Sequence, residues 1–330
     1  MDAEDALKLI KFASTIATGV IAGGAIYINV VEHPARMELD DAQSLHRQWR
    51  ESFDRAKFLM AGTSLLPIAG GIAAFAIDRA KGKPWFITAG LLAFNVPYTG
   101  IAMKPRVIEP IYDYEVAGKK DPGEIRDTVD KWNTFHKVRT IVDLSALAWC
   151  VYNLVEKYQQ NILLFRMGLD ADDLFSCLEV LSTVAAGIFS GSAIYVNVVE
   201  HPARMTLTDT KSCHRQWMES FDRAKVLQSC LALVSTVSGV GAYYCNPKKG
   251  LPFLIGGGIV ALVFPYTLFI LKPNSIDPIY DKDITSKKSE SVIRDTIVKW
   301  NNYHMVRSFI GMPVFVGYVV YMASNHKKFW

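Results

Sequence analysis

The chain has 330 residues, of which 50% are hydrophobic and 21% are charged, and its formal net charge is +4. This modest charge is spread over loops, without a basic tail or interleaved basic and aromatic residues, so nucleic acid is not an expected partner. The five cysteines include no CxxC pair and are interpreted as packing residues.

Eight apolar stretches predict an all-α integral membrane protein. Most of them are free of formal charge over about 20 residues, which lets a helix cross a hydrocarbon core of roughly 30 Å. In chain order the stretches are 12–31, 58–77, 84–103, 140–155, 174–199, 226–245, 251–271 and 308–323. The first stretch is not expected to be a cleaved leader, because its flank is acidic and its copy lies inside the chain.

The chain is a tandem repeat with a constant offset of 168 residues. Residues 25–57 and 193–225 align without a gap and are identical at 26 of 33 positions. We predict two domains of four spans each, residues 1–160 and residues 161–330. Because four is an even number, both repeats would have the same orientation, related by a pseudo-twofold axis along the membrane normal.

The short connections between predicted spans are basic. Lys81, Lys157, Arg166 and Lys248 lie in them, and the C-terminal tail adds Lys327 and Lys328. Positive residues in short loops favour the cytoplasm, so both termini are predicted to be cytoplasmic. The long loops 32–57 and 104–139, with their copies, would then lie on the opposite, outer or lumenal, side of the membrane. The sequence does not identify the organelle.

Three histidines recur in both repeats and are the candidate catalytic residues. Histidine moves protons and binds metals near neutral pH. We expect the three imidazoles of each repeat, which come from three helix ends, to converge on one pocket at the membrane surface. The six residues are His33, His46, His136, His201, His214 and His304.

The same six histidines are candidate metal ligands, since three protein ligands and an open position are typical of a catalytic metal site. The sequence leaves the cofactor unknown: copper and iron are candidate metals for imidazole ligands, haem is not excluded, and no flavin or nicotinamide motif is present. Glu32 and Glu200 would ligate the metal or fix a histidine tautomer. Two alternatives stay open: an acid–base pocket without metal, and interfacial histidines with a structural role alone.

Residues near these histidines are candidate substrate contacts. His46 and Trp49 share a helical face, as do Trp132 and His136, and a kink at Pro97 would open a cavity or serve packing alone. The candidates are Arg36, Trp49, Asn95, Tyr98, Trp132, Arg139, Arg204, Trp217, Tyr266, Trp300 and Arg307.

The repeated arginines have an alternative role, which we favour, as ion-pair partners of nearby carboxylates. Glu32 is four residues from Arg36, and Asp143, an acid inside a predicted span, is four residues from Arg139. Asn95 and Asp143 are not repeated, because Val263 and Gly311 occupy the corresponding positions.

Each repeat resembles the anthrone-oxygenase-like family of four-helix membrane proteins. The resemblance covers nearly all of each half and rests on Asn29 with Glu32-His33-Pro34, the start of the second helix, Asn95-Val96-Pro97, and Trp132-Asn133 with His136 and Arg139. Family members with an assigned activity oxygenate anthrones to quinones, which implies an aromatic substrate that reaches the protein from the bilayer. The second repeat departs from the pattern at Val263, so equal activity of the two halves is not implied.

Two functions from different classes follow. The first is a membrane oxygenase or oxidoreductase acting on a lipophilic phenol or anthrone, in which a histidine binds a metal or deprotonates the substrate. The second is a non-enzymatic membrane module that binds a lipid or haem, or a transporter that uses the interface between repeats. Either function implies membrane lipid and a lipophilic small molecule as partners. A larger oligomer is not required, because one chain already contains a pseudo-dimer.

Overall fold

A computed structural model describes residues 2–155 and 171–325 of the chain. Within these two ranges the protein is helical and contains no strand. The predicted domain boundary at residue 160 lies outside the described residues, as do Lys157, Arg166, Lys327 and Lys328.

Among the described residues, seven continuous helices are long and apolar enough to cross a membrane, which fits a multi-pass membrane protein. They are Ala3–Met37, Ala42–Ile77, Arg79–Tyr112, Ala171–Met205, Thr210–Cys245, Pro247–Ile276 and Glu290–Ser324. The fourth helix of the first repeat, Pro122–Tyr152, covers the remaining predicted span but is not in this set. It carries Arg139 and Asp143 within its apolar half, which lowers its hydrophobicity.

Short polar side chains fix where the helices begin, and they recur in both repeats. Asp41 accepts a hydrogen bond from the Ser44 amide at 2.6 Å, and its copy Asp209 accepts one from Ser212 at 2.8 Å. Asp78 and its copy Asn246 cap the third helices in the same way. A carboxylate or amide oxygen at this position satisfies amides that have no partner within the helix.

The first helix of each repeat does not end at the histidine that precedes proline. It passes through a wide π-helical turn, Ile28–Glu32 or Val196–Glu200, and continues to Met37 or Met205. The helix therefore continues past Pro34, but through an irregular, widened turn. Proline has no amide hydrogen to donate, and its ring would clash with a carbonyl of the preceding turn in a regular α-helix. The widened turn leaves room for that ring.

The third helices widen after their prolines instead of breaking. The helix Arg79–Pro97 continues as a π-helical segment, Tyr98–Ile108, and the second repeat has the counterpart Thr267–Ile276. A π-helical turn leaves side chains in a register that a regular helix does not offer, and such turns are frequent at functional sites.

The two first helices cross at the centre of the molecule. Gly23 lies against the Ile188 carbonyl and Gly191, and Gly191 lies against the backbone of Gly19 and Val20. Both helices carry glycines four residues apart, which lets their backbones approach closely within a membrane. This contact brings the ends that carry His33 and His201 to the same side of the crossing.

Candidate functional site

His33 and Asp130 form a histidine–carboxylate pair that joins the first and fourth helices of the first repeat. His33 Nε2 lies 3.1 Å from Asp130 Oδ1. The imidazole is buried, whereas the Asp130 side chain is 65% exposed. Because a carboxylate accepts a hydrogen bond from Nε2–H, Nδ1 is the nitrogen of the neutral imidazole that has a free lone pair. Nδ1 is buried and has no hydrogen-bond partner among the described residues.

His136 lies beside this pair and is packed on an aromatic surface. Its ring stacks on Trp132 with centroids 5.1 Å apart, and Trp132 meets Trp49 edge to face at 6.1 Å. His136 Nδ1 lies 3.3 Å from the Asn29 side-chain oxygen, within the π-helical turn of the first helix. The predicted common face of Trp132 and His136 is confirmed.

His46 has hydrogen-bond and ring contacts different from those of the other two histidines. Its Nε2 donates to the Ile111 carbonyl at 2.5 Å, and its ring packs on Trp49 and on the edge of Tyr114. A cavity of about 380 Å³ opens beside it, lined by polar and basic residues that include Arg47 and Lys120. Burial raises the pKa of the Tyr114 phenol at the cavity wall, and the Glu51 carboxylate adds to this shift.

The expected three-histidine metal centre does not form. Among the residues that the structure describes, no three histidine, cysteine or carboxylate side chains are grouped closely enough to hold a metal ion. The physical reason is that the rings have separate partners: Asp130 for His33, Ile111 for His46 and Asn29 for His136. His214 repeats the contact of His46, donating to the Ile279 carbonyl at 2.7 Å.

Within the described ranges, Glu32 and Glu200 form no hydrogen bond or ion pair with a histidine. They belong to a buried polar network that crosses between repeats. Glu32 pairs with Arg36 at 3.2 Å, and Glu200 with Arg204 at 3.0 Å, all four side chains being fully buried. Gln48 donates to Glu32 at 3.0 Å, and Gln216 donates to Glu200 at 3.1 Å. The favoured pairing of the repeated arginines with carboxylates is confirmed here.

Two tyrosines complete the network by exchanging partners. Tyr27 of the first repeat donates to Glu200 of the second at 2.8 Å, and Tyr195 donates to Glu32 at 2.7 Å. Their rings lie 5.6 Å apart between the two first helices. Each buried carboxylate therefore depends on a hydroxyl from the other repeat.

Several buried polar atoms around this network have no hydrogen-bond partner among the described residues. In the first repeat they are Arg36 Nη1, Trp49 Nε1, Trp132 Nε1 and His33 Nδ1, and their copies Arg204, Trp217, Trp300 and His201 are in the same state. The Arg36 guanidinium lies 5.9 Å from the Trp132 ring centre, and Arg204 lies 5.8 Å from that of Trp300. Buried polar atoms without partners are uncommon in native proteins, so their recurrence in both repeats makes this position a candidate for binding a polar guest or water.

The two repeats differ at the residue that orients the histidine. Val298 stands where the first repeat has Asp130, so His201 lacks a carboxylate at this position. His304 also differs from His136, because Asn197 turns its amide to Asn301 at 2.9 Å and leaves His304 Nδ1 without a partner among the described residues. Sequence reasoning missed Asp130, although its replacement by valine in the other copy was a visible signal.

Asp143 accepts a hydrogen bond from Asn95, and the nearby charge of Arg139 acts on it without forming the predicted direct pair. The Asn95 amide donates to Asp143 Oδ1 at 2.7 Å, and within the described part of the chain no ion pair joins Arg139 to Asp143. The second repeat has Val263 and Gly311 at these positions, so it lacks both members of the pair.

Arg307, the copy of Arg139, forms hydrogen bonds with neutral side chains. It donates to Gln228 at 2.7 Å and to Thr267 at 2.8 Å. The predicted wall residues Tyr98 and Tyr266 are half-buried and donate to backbone carbonyls of the fourth helices, at 3.1 Å and 3.0 Å.

A family model described as anthrone oxygenase matches the chain twice, at residues 49–149 and 217–317. The chain belongs to the anthrone oxygenase family. The two matches confirm the tandem duplication and include Asp130, Trp132 and His136, whereas His33 and the Glu32–Arg36 pair precede the matched segment. Searches of curated proteins and of solved structures return no match.

Proposed function

We propose that the first repeat is a membrane oxygenase that converts a lipophilic anthrone, or a related phenol, into a quinone. The observation that carries this proposal is the His33–Asp130 pair, whose buried Nδ1 has no partner among the described residues. An imidazole oriented by a carboxylate is a general base, and a base alone permits oxidation because an anthrone anion reacts with O₂. Membership of the anthrone oxygenase family supports the same chemistry.

The proposed reaction consumes one O₂ per anthrone and yields one anthraquinone and one water. His33 Nδ1 removes one proton from the methylene opposite the carbonyl, and the resulting anthrolate donates electrons to O₂ as a carbon–oxygen bond forms. The imidazolium returns its proton to give a hydroperoxide. Loss of the second methylene hydrogen together with hydroxide releases water and leaves the new carbonyl.

The neighbouring side chains would bind and polarise the substrate. Arg36 has a buried N–H with no partner among the described residues, and it faces the Trp132 ring. That N–H would stabilise the negative charge that develops on the anthrolate oxygen. Trp49 and Trp132 would pack on the aromatic rings and offer their indole N–H groups to the substrate oxygens.

We also propose the membrane arrangement that the sequence predicts. Pro122–Tyr152 would be an eighth span, so that two four-helix repeats with a boundary near residue 160 are related by a pseudo-twofold axis along the membrane normal. Both termini would be cytoplasmic, and His33 would lie near the opposite face. A lipophilic substrate would then reach the site from the bilayer, and membrane lipid would be the other partner.

The test compares matched variants of the two repeats in lipid nanodiscs supplied with anthrone. His33→Gln is expected to lower the rate of O₂-dependent anthraquinone formation about 100-fold or more, the usual contribution of a general base. His201→Gln is expected to leave most of the activity, because this histidine has no carboxylate partner in the described structure. With ¹⁸O₂, one labelled oxygen is expected in the quinone.

Equal rates for both variants and the wild-type protein would refute the assignment of His33 as the base. Failure of the protein to exceed empty nanodiscs would favour the non-enzymatic alternative, a lipid or haem binder or a transporter. Spontaneous oxidation of anthrone by O₂ is subtracted with the empty nanodiscs.

A further inference from the structure

A membrane-facing groove lies between the third and fourth helices of the second repeat. Its volume is about 490 Å³, and its walls are apolar, formed by residues such as Leu251, Ile255, Ile259, Phe309 and Pro313. Ile255 and Phe309 are 54% and 74% exposed on helices long and apolar enough to span the bilayer. A cavity of this volume is in the range of pockets that hold small molecules.

The first repeat fills the corresponding position with its own side chain. Trp149 is the copy of Gly317, and its half-buried indole N–H donates to the Pro84 carbonyl at 3.0 Å, on the third helix. A Cβ placed on Gly317 would meet no atom within 4 Å, so the space on this side of the fourth helix is open. The groove of the second repeat therefore lies at the position that the Trp149 indole occupies in the first repeat.

The Pro84 carbonyl, which accepts from the Trp149 indole, has a second side-chain donor that the second repeat also lacks. In the first repeat, Thr88 donates to the same Pro84 carbonyl at 3.2 Å. The copy of Thr88 is Gly256, and the copy of Pro84 is Pro252. Glycines at 256 and 317 offer no side-chain donor. Pro252 lines the groove, and among the described residues its carbonyl receives neither of the two side-chain donors that the Pro84 carbonyl receives.

We propose that this groove binds a flat aromatic molecule with one hydrogen-bond donor, a phenol or an indole, taken from the bilayer. The ring occupies the space that the Trp149 indole occupies in the first repeat, and its O–H or N–H donates to the Pro252 carbonyl. An acyl chain fits the apolar walls but has no donor for this oxygen. The site does not depend on the oxygenase reaction, because it lies in the second repeat and contains no histidine.

The experiment measures equilibrium binding of 2-naphthol to the full chain in phosphatidylcholine nanodiscs, with empty nanodiscs as the partition blank. Gly317→Trp places an indole in the groove, as in the first repeat, and is expected to remove one bound equivalent or weaken that site at least tenfold. Gly317→Ala is the control and is expected to retain it, since the added methyl meets open space.

The first repeat supplies the reciprocal variant. Trp149→Gly empties the corresponding position and is expected to add one bound equivalent of 2-naphthol. Ile255→Trp fills the groove from the opposite wall and gives a second test if Gly317→Trp does not fold. His33→Gln, which removes the proposed base, is expected to leave the groove site unchanged, so failure of one proposal is distinguishable from failure of the other.

The donor is tested with 2-methoxynaphthalene, which has the same rings and no O–H. Its binding to the groove is expected to be about threefold to tenfold weaker than that of 2-naphthol, the usual effect of one hydrogen bond. The proposal is overturned if Gly317→Trp and Ile255→Trp, both folded, bind as many equivalents as the wild-type protein. It is likewise overturned if the methyl ether binds the groove as tightly as the naphthol, which would indicate an unspecific apolar or acyl-chain site.

Discussion

At the scale of single residues, the two repeats serve as natural variants of one another. Both retain the buried histidine, arginine and tryptophan side chains around the proposed substrate position. Only the first has a carboxylate on that histidine, because Val298 replaces Asp130. Each repeat therefore has its own set of proposed substrate-binding side chains, whereas only the first repeat has the carboxylate that orients the proposed base.

Replacing Asp130 by valine gives the first repeat the side chain of the second. We expect Asp130→Val to lower the rate of anthraquinone formation about 10- to 100-fold, the usual effect of removing a group that orients a functional histidine. The side chain is 65% exposed, so its loss should hardly change the melting temperature. Asp130→Glu is expected to restore part of the rate, and an unchanged rate in Asp130→Val would contradict the role of this pair.

The Asn95–Asp143 pair gives a second prediction at this scale, concerning stability. Asn95→Val removes the donor 2.7 Å from a buried carboxylate and is expected to cost about 1–3 kcal/mol. Asn95→Val combined with Asp143→Leu removes both polar groups, as the second repeat does, and should recover most of that loss. Thermal unfolding in detergent measures both, and a double variant no more stable than Asn95→Val would show that the pair is not the cause.

At the scale of helices, the sequence identifies the spans but not their local geometry. Seven of the eight predicted apolar stretches lie in helices long and apolar enough to cross a membrane, and the stretch 140–155 does not. The π-helical turns at Ile28–Glu32 and Tyr98–Ile108 were not predicted, because hydrophobicity and proline position do not specify how a helix accommodates a proline. The turn Ile28–Glu32 contains Asn29 and Glu32. The positions of these side chains in the site therefore depend on a local helix geometry that hydrophobic periodicity does not predict.

The crossing of the first helices permits a matched test with alanine. A Cβ on Gly23 would overlap the Ile188 carbonyl and Gly191, whereas a Cβ on Gly62 would meet no atom within 4 Å. We expect Gly23→Ala to destabilise the protein by about 1–3 kcal/mol through overpacking. Gly62→Ala should be neutral or stabilising by up to about 1 kcal/mol, because alanine favours a helix over glycine. Equal melting temperatures for the two variants would exclude a close helix crossing.

At the scale of the whole molecule, hydrogen bonds join the repeats through side chains that are far apart in the sequence, and no short sequence motif predicts these contacts. Tyr27 and Glu200 are 173 residues apart in the chain, and the duplication shows that both are retained without showing that they meet. The sequence accordingly predicted an ion pair within each repeat and missed the exchange between repeats. The exchange makes the buried charge of one repeat dependent on the position of the other.

The exchanged hydroxyls lead to a prediction about the coupling between repeats. Tyr195→Phe leaves Glu32 with Arg36 and Gln48 but removes a donor at 2.7 Å from a fully buried carboxylate. Since hydrogen bonds to charged groups are the stronger kind, we expect a cost of about 1.5–3 kcal/mol, and the same for Tyr27→Phe. Because the two rings lie 5.6 Å apart, the double variant should depart from additivity by more than about 0.5 kcal/mol.

Tyr98→Phe is the matched control for this measurement, because it removes a hydroxyl whose acceptor is a neutral carbonyl within one repeat. Its cost should be about 0.5–1.5 kcal/mol, and it should add to that of Tyr27→Phe without coupling. Thermal unfolding of the single and double variants in one detergent gives all the values. If Tyr27→Phe costs no more than Tyr98→Phe and adds to Tyr195→Phe, the carboxylates do not tie the repeats together. Among the described residues, the repeats would then be held by the glycine packing between the first helices and by ion pairs such as Arg215 with Asp40.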